Sequence, residues 1–505
     1  MAAELAQAMP RAGAADAATG ESDAQSSPQD PRAATLARLA TTFKARGHQF
    51  MEHTDGLFMH GALYDGPLKK PKTLWRSERK PRKDHNASSW LTASEFEDQP
   101  DVMRAKVAQL AQLMRISRRT VVYSGAGISA SVVGQAALSG TNKVGWTGCK
   151  TAAQPTPTHH ALSLLGRSGL IHGWVQQNHD GLPQKAGFPQ ELICEVHGSW
   201  FDPSNPVVKY SGCLKNHEYN WMERETAEAD LVLVMGTSLG GLCADQVATE
   251  CADRASEGAS LGPIIINLQQ TDVDGQMSLK LSGKTDDVLG MLLEALGLPR
   301  PDASNAVKWP LVHAALVPYD ANGKRLPEGS DTPWMWLDLR PGAKVKLTKG
   351  HNHQGAKQPN TMHIGAKKGQ KFQGKELANV GPGFGTVSKR DEETDSFKLS
   401  IEGAIIRMGV WWLDAAARGG PQLLPLVNQV PVFADCKDTA IVGRLQAAAT
   451  EAAAAAHAPS SDPRSRPLAS SSAASHSPES GELQLARAVG SVRTTRKALL
   501  DVGKR

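Results

Sequence analysis

Cysteine is scarce and scattered in this chain: there are six (Cys149, Cys194, Cys213, Cys243, Cys251 and Cys436), and no two form a Cys-x-x-Cys pair. That pattern argues against a disulfide framework and a zinc ribbon, and for a reducing compartment. No run approaches the roughly 18 apolar residues of a membrane span, so no membrane contact is expected. The N-terminal stretch lacks an apolar signal core, and its acids Glu4, Asp16, Glu21 and Asp23 speak against an organelle transit peptide, which is normally acid-poor. Nucleus or cytoplasm is the expected location. Strong charge of one sign is also missing: the net charge is +5 over 505 residues, which accommodates an acidic partner without requiring one. Internal repeats are absent.

What is present starts at Thr120-Val121-Val122-Tyr123-Ser124-Gly125-Ala126-Gly127-Ile128-Ser129-Ala130. A β-branched and aromatic run that breaks into Gly-x-Gly and small residues predicts a buried parallel strand, a tight turn and the start of a helix. Such a turn brings backbone N–H groups close to a pyrophosphate, with the positive end of the helix facing the anion. A dehydrogenase-type dinucleotide site also needs an acid about 20 positions on, to hold a ribose. Here that distance reaches Gly145-Trp146-Thr147-Gly148-Cys149-Lys150, which has no carboxylate. A standard dehydrogenase is therefore disfavoured, and a ligand-free glycine turn stays open at this point.

Residues 1–33 are rich in Ala, Ser, Gly and Asp and are expected to be disordered. Residues 34–93 form an N-terminal extension, its first half read as irregular structure around short apolar clusters. The extension holds a basic stretch from Lys69 to Lys83 with eight basic residues and one acid. Two readings stand for that stretch: a nuclear-import, polyanion- or nucleic-acid-contacting segment, or a solvated surface loop. Met103, Val107, Leu110, Ala111 and Met114 recur at helical spacing over residues 102–117. Helices are then predicted near 159–165, 223–229, 245–256 and 286–296, alternating with strands near 170–175, 191–196, 230–235 and 263–268. That alternation indicates an α/β fold, a Rossmann-like parallel sheet flanked by helices, over residues 94–298. From residue 299 to 438, strand-like runs at 307–318, 334–349, 397–412 and 422–433 predict a β-rich accessory domain. Residues 439–505 are read as a low-complexity, mostly disordered tail with a helical Ala run at 447–456.

Ligands of open α/β sheets sit at the carboxyl ends of the strands. Polar groups follow each expected strand: Ser129, then Gln177-Asn178-His179-Asp180-Gly181, His197-Gly198, Gly236-Thr237-Ser238-Leu239 and Asn267-Leu268-Gln269. These stretches, in this order, resemble the sirtuins, NAD-dependent protein deacylases, and within them the branch that includes mammalian nuclear sirtuins. The likeness runs from Ser94-Glu95-Phe96 to Leu298 and includes Pro155-Thr156-Pro157-Thr158-His159-His160-Ala161-Leu162 and Ala186-Gly187-Phe188-Pro189.

The resemblance implies NAD as cofactor and an acyl-lysine protein as partner, histone being one candidate, with nicotinamide and O-acyl-ADP-ribose as products. By the same likeness Gly125, Ala126 and Gly127 would hold the pyrophosphate and Ser129 would border the nicotinamide. Asn178 and Asp180 would hold nicotinamide and ribose, with Gln177 beside them. Gly236, Thr237 and Ser238 would take phosphate and ribose, and Asn267, Leu268, Gln269 and Thr285 would complete the cofactor-binding set. His197 would be the catalytic base, a role that an imidazole with an ordinary pKa of about 6.5 suits at neutral pH. His179 is read as incidental.

Two departures from the family pattern stand out. Where the family carries Gly-Ile-Pro-Asp-Phe-Arg after the Ser129 position, this chain has Val132-Val133-Gly134-Gln135-Ala136-Ala137-Leu138-Ser139-Gly140. Between His197 and Gly236 there is only Cys213, so no metal and a shortened small domain are expected. Three functions remain in view: deacylation; ADP-ribosyl transfer or NAD hydrolysis; and a catalytically silent NAD-binding interaction module. Asn178, Asp180 and His197 together favour an enzyme, whereas the altered loop favours the silent module.

Overall fold

The computed structural model describes residues 30–46, 60–76, 94–134, 149–208, 214–240, 242–271, 273–302, 307–348, 383–421 and 423–455. The chain divides into two compact units, Met1–Ala453 and Ala454–Arg505, and every strand named below belongs to the first. Most of the expected disordered ends, residues 77–83 of the basic stretch, residues 135–140 of the altered loop and the Gly/Lys-rich stretch 349–382 lie outside the described residues.

The extension begins as a helix, α1 (Pro31–Arg46), where irregular structure is expected. Proline at the first helical position and an Ala-rich run favour helix. Leu39 and Phe43, one turn apart, bury themselves in the main core, and Arg32 pairs with Asp230 at 2.7 Å. Strands β1 (Lys72–Trp75) and β2 (Glu95–Glu97) pair antiparallel. The predicted amphipathic helix follows as α2 (Pro100–Ile116).

The α/β unit then runs β3 (Thr120–Ser124), α3 (Pro157–Arg167), β4 (Gly173–Gln176), α4 (Leu182–Lys185), β5 (Ile193–Glu195), α5 (Asn216–Glu228), β6 (Leu231–Met235), α6 (Gln246–Ser256), β7 (Gly262–Ile266), β8 (Leu279–Leu281) and α7 (Thr285–Leu296). Its six strands are all parallel, in the order β5-β4-β3-β6-β7-β8. Alternate residues divide between the faces. Val122, Leu231, Leu233, Ile264 and Ile266 join α2, α3 and α7, while Val121, Val232, Val234 and Ile265 join α5 and α6. Both faces are covered, which is why these strands read as continuous apolar runs. β8 is too short and isolated to stand out in the sequence.

The β-rich region is present, with more breaks than its four predicted runs suggest. β9 (Ala314–Val317), β10 (Met335–Asp338) and β16 (Val432–Phe433) form one sheet. β11 (Lys344–Leu347), β12 (Phe384–Asp391), β13 (Ser396–Ile401), β14 (Ala404–Gly409) and β15 (Leu426–Asn428) form a five-stranded antiparallel one. The run at 397–412 is split by a two-residue turn, Glu402-Gly403, with φ of 49° and 84°. Both values suit the tight hairpin turn that matches strand twist. That run then ends in helix α8 (Trp411–Ala417), and the Ala run belongs to α9 (Thr439–Ala455).

Candidate functional site

The chain leaves β3 toward β4 and β5, then crosses back to β6 on the other side. The sheet therefore has a switch point between β3 and β6, and ligands of such sheets bind outside the strand ends there. The two glycine turns meet at this place. Gly127 donates its N–H to the Gly236 carbonyl at 2.7 Å. A Cβ on Gly127 would lie 2.6 Å from the Gly236 Cα, and one on Gly236, whose φ is +60°, 2.5 Å from the Ile128 nitrogen. The immediate reason for glycine at both positions is thus the packing of one turn on the other.

After Gly125 comes a single 3₁₀ turn, Ala126–Ser129, instead of the expected longer helix. A full helix dipole is missing, and an anion here would meet backbone groups of a short turn. Ala126, Gly127 and Ser238 are exposed at this lip, while Ser129, Asp180 and Thr237 lie buried beneath it. An exposed backbone lip over a buried polar floor suits a phosphate-bearing ligand.

The floor is knit by side chains from separate strand ends. Ser129 Oγ donates to Asp180 Oδ2 at 2.6 Å. Asn178 Nδ2 donates to Ser129 Oγ and to the Gly125 carbonyl, both at 3.1 Å. The Leu182 N–H caps Asp180 Oδ1 at 3.1 Å. Burial pushes the Asp180 carboxyl up, against the pull of the Ser129 and Leu182 hydrogen bonds.

A second chain of contacts had no signal in the sequence. Gln177 Nε2 donates to the Tyr123 hydroxyl, Tyr123 donates to Asp245 Oδ1 at 2.7 Å, and Thr237 reaches Gln177 Oε1 at 3.4 Å. Asn267 Nδ2 donates to the Thr237 carbonyl at 3.0 Å, which links the β7 end to the same lip. Leu268 and Gln269 are tied to β2 through the Phe96 N–H and a Glu95 bridge. Thr285 is engaged by the Thr158 hydroxyl at 2.9 Å, at the meeting of α3 and α7. The structure therefore gathers Gly125, Gln177, Asn178, Asp180, Ser129, Gly236, Thr237 and Asn267 directly.

His197 follows β5 and is buried, and its Nε2 has no hydrogen-bond partner among the described residues. Its pKa is pushed down to about 4, first by burial and then by His179, against a hydrogen bond to the Gln177 backbone. The ring is therefore neutral at physiological pH and free to accept a proton. An orphaned buried polar atom calls for an explanation, and an absent ligand hydroxyl is one. His179, read as incidental, has a structural role, since its ring nitrogen bonds the Gly198 carbonyl at 2.8 Å and ties the turn after β4 to the turn after β5. Two residues before His197, Glu195 is buried and pushed up to about 8 by burial and by Asp202.

Among the described residues, no three or more His, Cys, Asp or Glu side chains are arranged to hold a metal ion; Cys213 lies outside them. No helix among them is long and apolar enough to cross a membrane.

No family model matches the chain. Its relatives include the NAD-dependent protein deacetylase sirtuin-7 of Rattus norvegicus, 30% identical in an alignment 259 positions long that covers 40% of this chain and 63% of the relative. The NAD-dependent protein deacetylase SRT1 of Arabidopsis thaliana is 28% identical over 41% of this chain and 53% of its own. Among solved structures, a complex of a Sir2 homologue with NAD is 20% identical, with a TM-score of 0.32, covering 37% of this chain and 93% of that one. The chain thus spans less than two thirds of the length of the sirtuin-7 relatives it matches. At this modest identity, over about 40% of its length, the chain is similar to proteins of the sirtuin superfamily.

Proposed function

We propose that the chain is an NAD-dependent protein-lysine deacylase whose catalytic domain is residues 94–298, with residues 299–438 as an accessory domain. The observation that carries this reading is His197: buried, neutral and with an Nε2 unpartnered among the described residues, beside the turn that bears Asn178 and Asp180. The relatives' names, NAD-dependent protein deacetylases, support the same reading.

Bound NAD would supply an electrophilic ribose carbon with nicotinamide as its leaving group. The Gly125-Ala126-Gly127 and Gly236-Thr237-Ser238 turns would hold its phosphates and ribose, with Asn267, Leu268 and Gln269 toward the adenosine end. Asn178 and Asp180, fixed through Ser129, would orient the reacting end. His197 Nε2 would accept a proton from a ribose hydroxyl once the acyl oxygen of a substrate lysine has taken the place of nicotinamide. A base of low pKa is always in the right protonation state at neutral pH but is a weaker proton acceptor, so much of the rate must come from positioning. The partner is an acyl-lysine protein, met in the nucleus or cytoplasm; the exposed Lys70, Lys72 and Arg76 would face an acidic partner, whereas Lys69 is paired with Asp101.

The test is nicotinamide release from NAD with and without a pool of acyl-lysine peptides. Peptide-dependent release is expected. Release independent of peptide would make the protein an NAD hydrolase, and no release would leave a silent NAD-binding module.

A further inference from the structure

The β-rich region reaches the floor of the site through one ring. Phe201, four residues beyond His197, is fully buried in the core of the β-rich region, among Val317, Met335, Trp411 and Trp412. Its carbonyl accepts the Gly409 N–H at 2.9 Å. The Trp411 ring meets the Phe201 ring edge-on at 5.3 Å. On its other side Trp411 lies against Gly181, the residue after Asp180: a Cβ there would come within 3.2 Å of the indole and 2.8 Å of Phe201. Gly181 also has φ of +64°, so the turn after Asp180 is shaped to let the indole in.

The two turns under this ring are already joined to each other. The Trp200 N–H donates to the His179 carbonyl at 3.0 Å, and the His179 ring bonds the Gly198 carbonyl at 2.8 Å. One turn carries Asn178 and Asp180, and the other carries His197. The indole N–H of Trp411 is buried without an acceptor among the described residues, and the ring's place is marked by its packing on Phe201 and Gly181. Lys185 completes the seat. Its ammonium sits 5.2 Å from the Phe201 ring centroid and donates to the Thr151 and Ala153 carbonyls at 2.8 and 3.0 Å.

We infer that Trp411, acting with Phe201, is a positioning residue for the reacting groups, and that the β-rich region is thereby a working part of the catalytic floor. The region does this from outside the sheet, by clamping two turns whose ends carry Asp180 and His197. The inference rests on the proposed deacylase reading for its activity readout, and on geometry alone for its second readout.

The experiment compares full-length Trp411→Ala, Trp411→Leu and Trp411→Phe with Leu445→Ala. Leu445, on α9, packs against Trp336 of the β-rich region in a separate core, so its truncation loosens the region without touching the two turns. Nicotinamide release is measured alongside NAD affinity, and amide hydrogen exchange is followed at Leu182 and Trp200, whose N–H groups hold the two turns. Turnover is expected to fall by about 10²-fold in Trp411→Ala, the scale of a misplaced reacting group, with NAD affinity nearly unchanged. Exchange at Leu182 and Trp200 should quicken by about tenfold or more. Trp411→Phe, which keeps a flat ring against Phe201, should restore most of both, with Trp411→Leu between. Leu445→Ala should lower Tm and leave both readouts at the wild-type level.

If Trp411→Ala does not fold, the Phe and Leu variants carry the comparison. A wild-type chain that releases no nicotinamide would defeat the deacylase reading, and the exchange rates would still decide the clamp. Unchanged exchange at both amides in the Ala or Leu variant, or equal losses in Leu445→Ala, would overturn it.

Discussion

The lip and the floor of the site are built from different materials. At the lip, Ala126, Gly127 and Ser238 offer exposed backbone, and the glycines there are fixed by two turns in van der Waals contact. On the floor, Ser129, Asn178 and Asp180 form a network of side chains with every link near 3 Å or shorter, and His197 has a ring nitrogen unpaired among the described residues. A backbone lip recognises a charged, flexible group with little dependence on side-chain identity. A locked floor fixes a few polar atoms for one geometry. Binding and chemistry should therefore be separable by mutation, and each substitution below either sharpens that separation or breaks it.

The largest effect is expected from Gly127→Val. A side chain at that position meets the Gly236 Cα and carbonyl at 2.6 and 2.8 Å, and neither turn can give way without moving the other. Calorimetry should find NAD affinity lost. Affinity that survived in a folded variant would show that the lip is not the phosphate site.

Asp180→Ala comes next. It leaves the Ser129 hydroxyl and the Leu182 N–H without their acceptor, and a buried group left unpaired costs about 1–3 kcal/mol. Both NAD affinity and turnover should fall, with turnover falling further. A change in stability alone, with both kinetic constants intact, would assign Asp180 to structure.

The acid limb of kcat/KM should lie near pH 4, because that profile reports the free enzyme's base and burial holds His197 at about 4. A limb centred near the ordinary imidazole value of 6.5 would mean that water reaches the ring. Stability follows the same group. With the folded value below the unfolded one, the stability penalty of burying a neutral ring is absent above about pH 6.5 and grows as pH falls toward 4.

Glu195→Gln should have the smallest effect on turnover and a clear one on stability. The folded pKa of Glu195, about 8, lies above its ordinary value of 4.5. Its penalty is absent below about pH 4.5, grows as pH rises, and is complete above about 8. The Tm gap favouring the Gln variant should widen across that window. A gap that is flat with pH would contradict the raised value.

The parallel sheet was legible because its strands are covered on both faces, so β6 and β7 appear as unbroken apolar runs between helices. The strand-end polar groups were legible as the points where each apolar run stops. The antiparallel region was harder. Its strands are only partly buried, so they carry no unbroken apolar run, and Glu402-Gly403 lacks the Asn or Asp that usually marks such a turn. Contacts between residues far apart in sequence left no local pattern at all: Tyr123 with Asp245, Thr285 with Thr158 and Trp411 with Gly181. Gly127 was visible as a glycine, but the backbone it packs against, at Gly236, is remote in the sequence.

The most direct measurement is a paired one on His197→Ala: NAD affinity by calorimetry and nicotinamide release with acyl-lysine peptide. Removing the neutral imidazole should leave affinity nearly unchanged and lower peptide-dependent turnover by about 10² or more, the usual worth of a positioned proton acceptor. A release rate equal to that of the wild-type chain would contradict the role of His197 and leave the site as an NAD-binding scaffold.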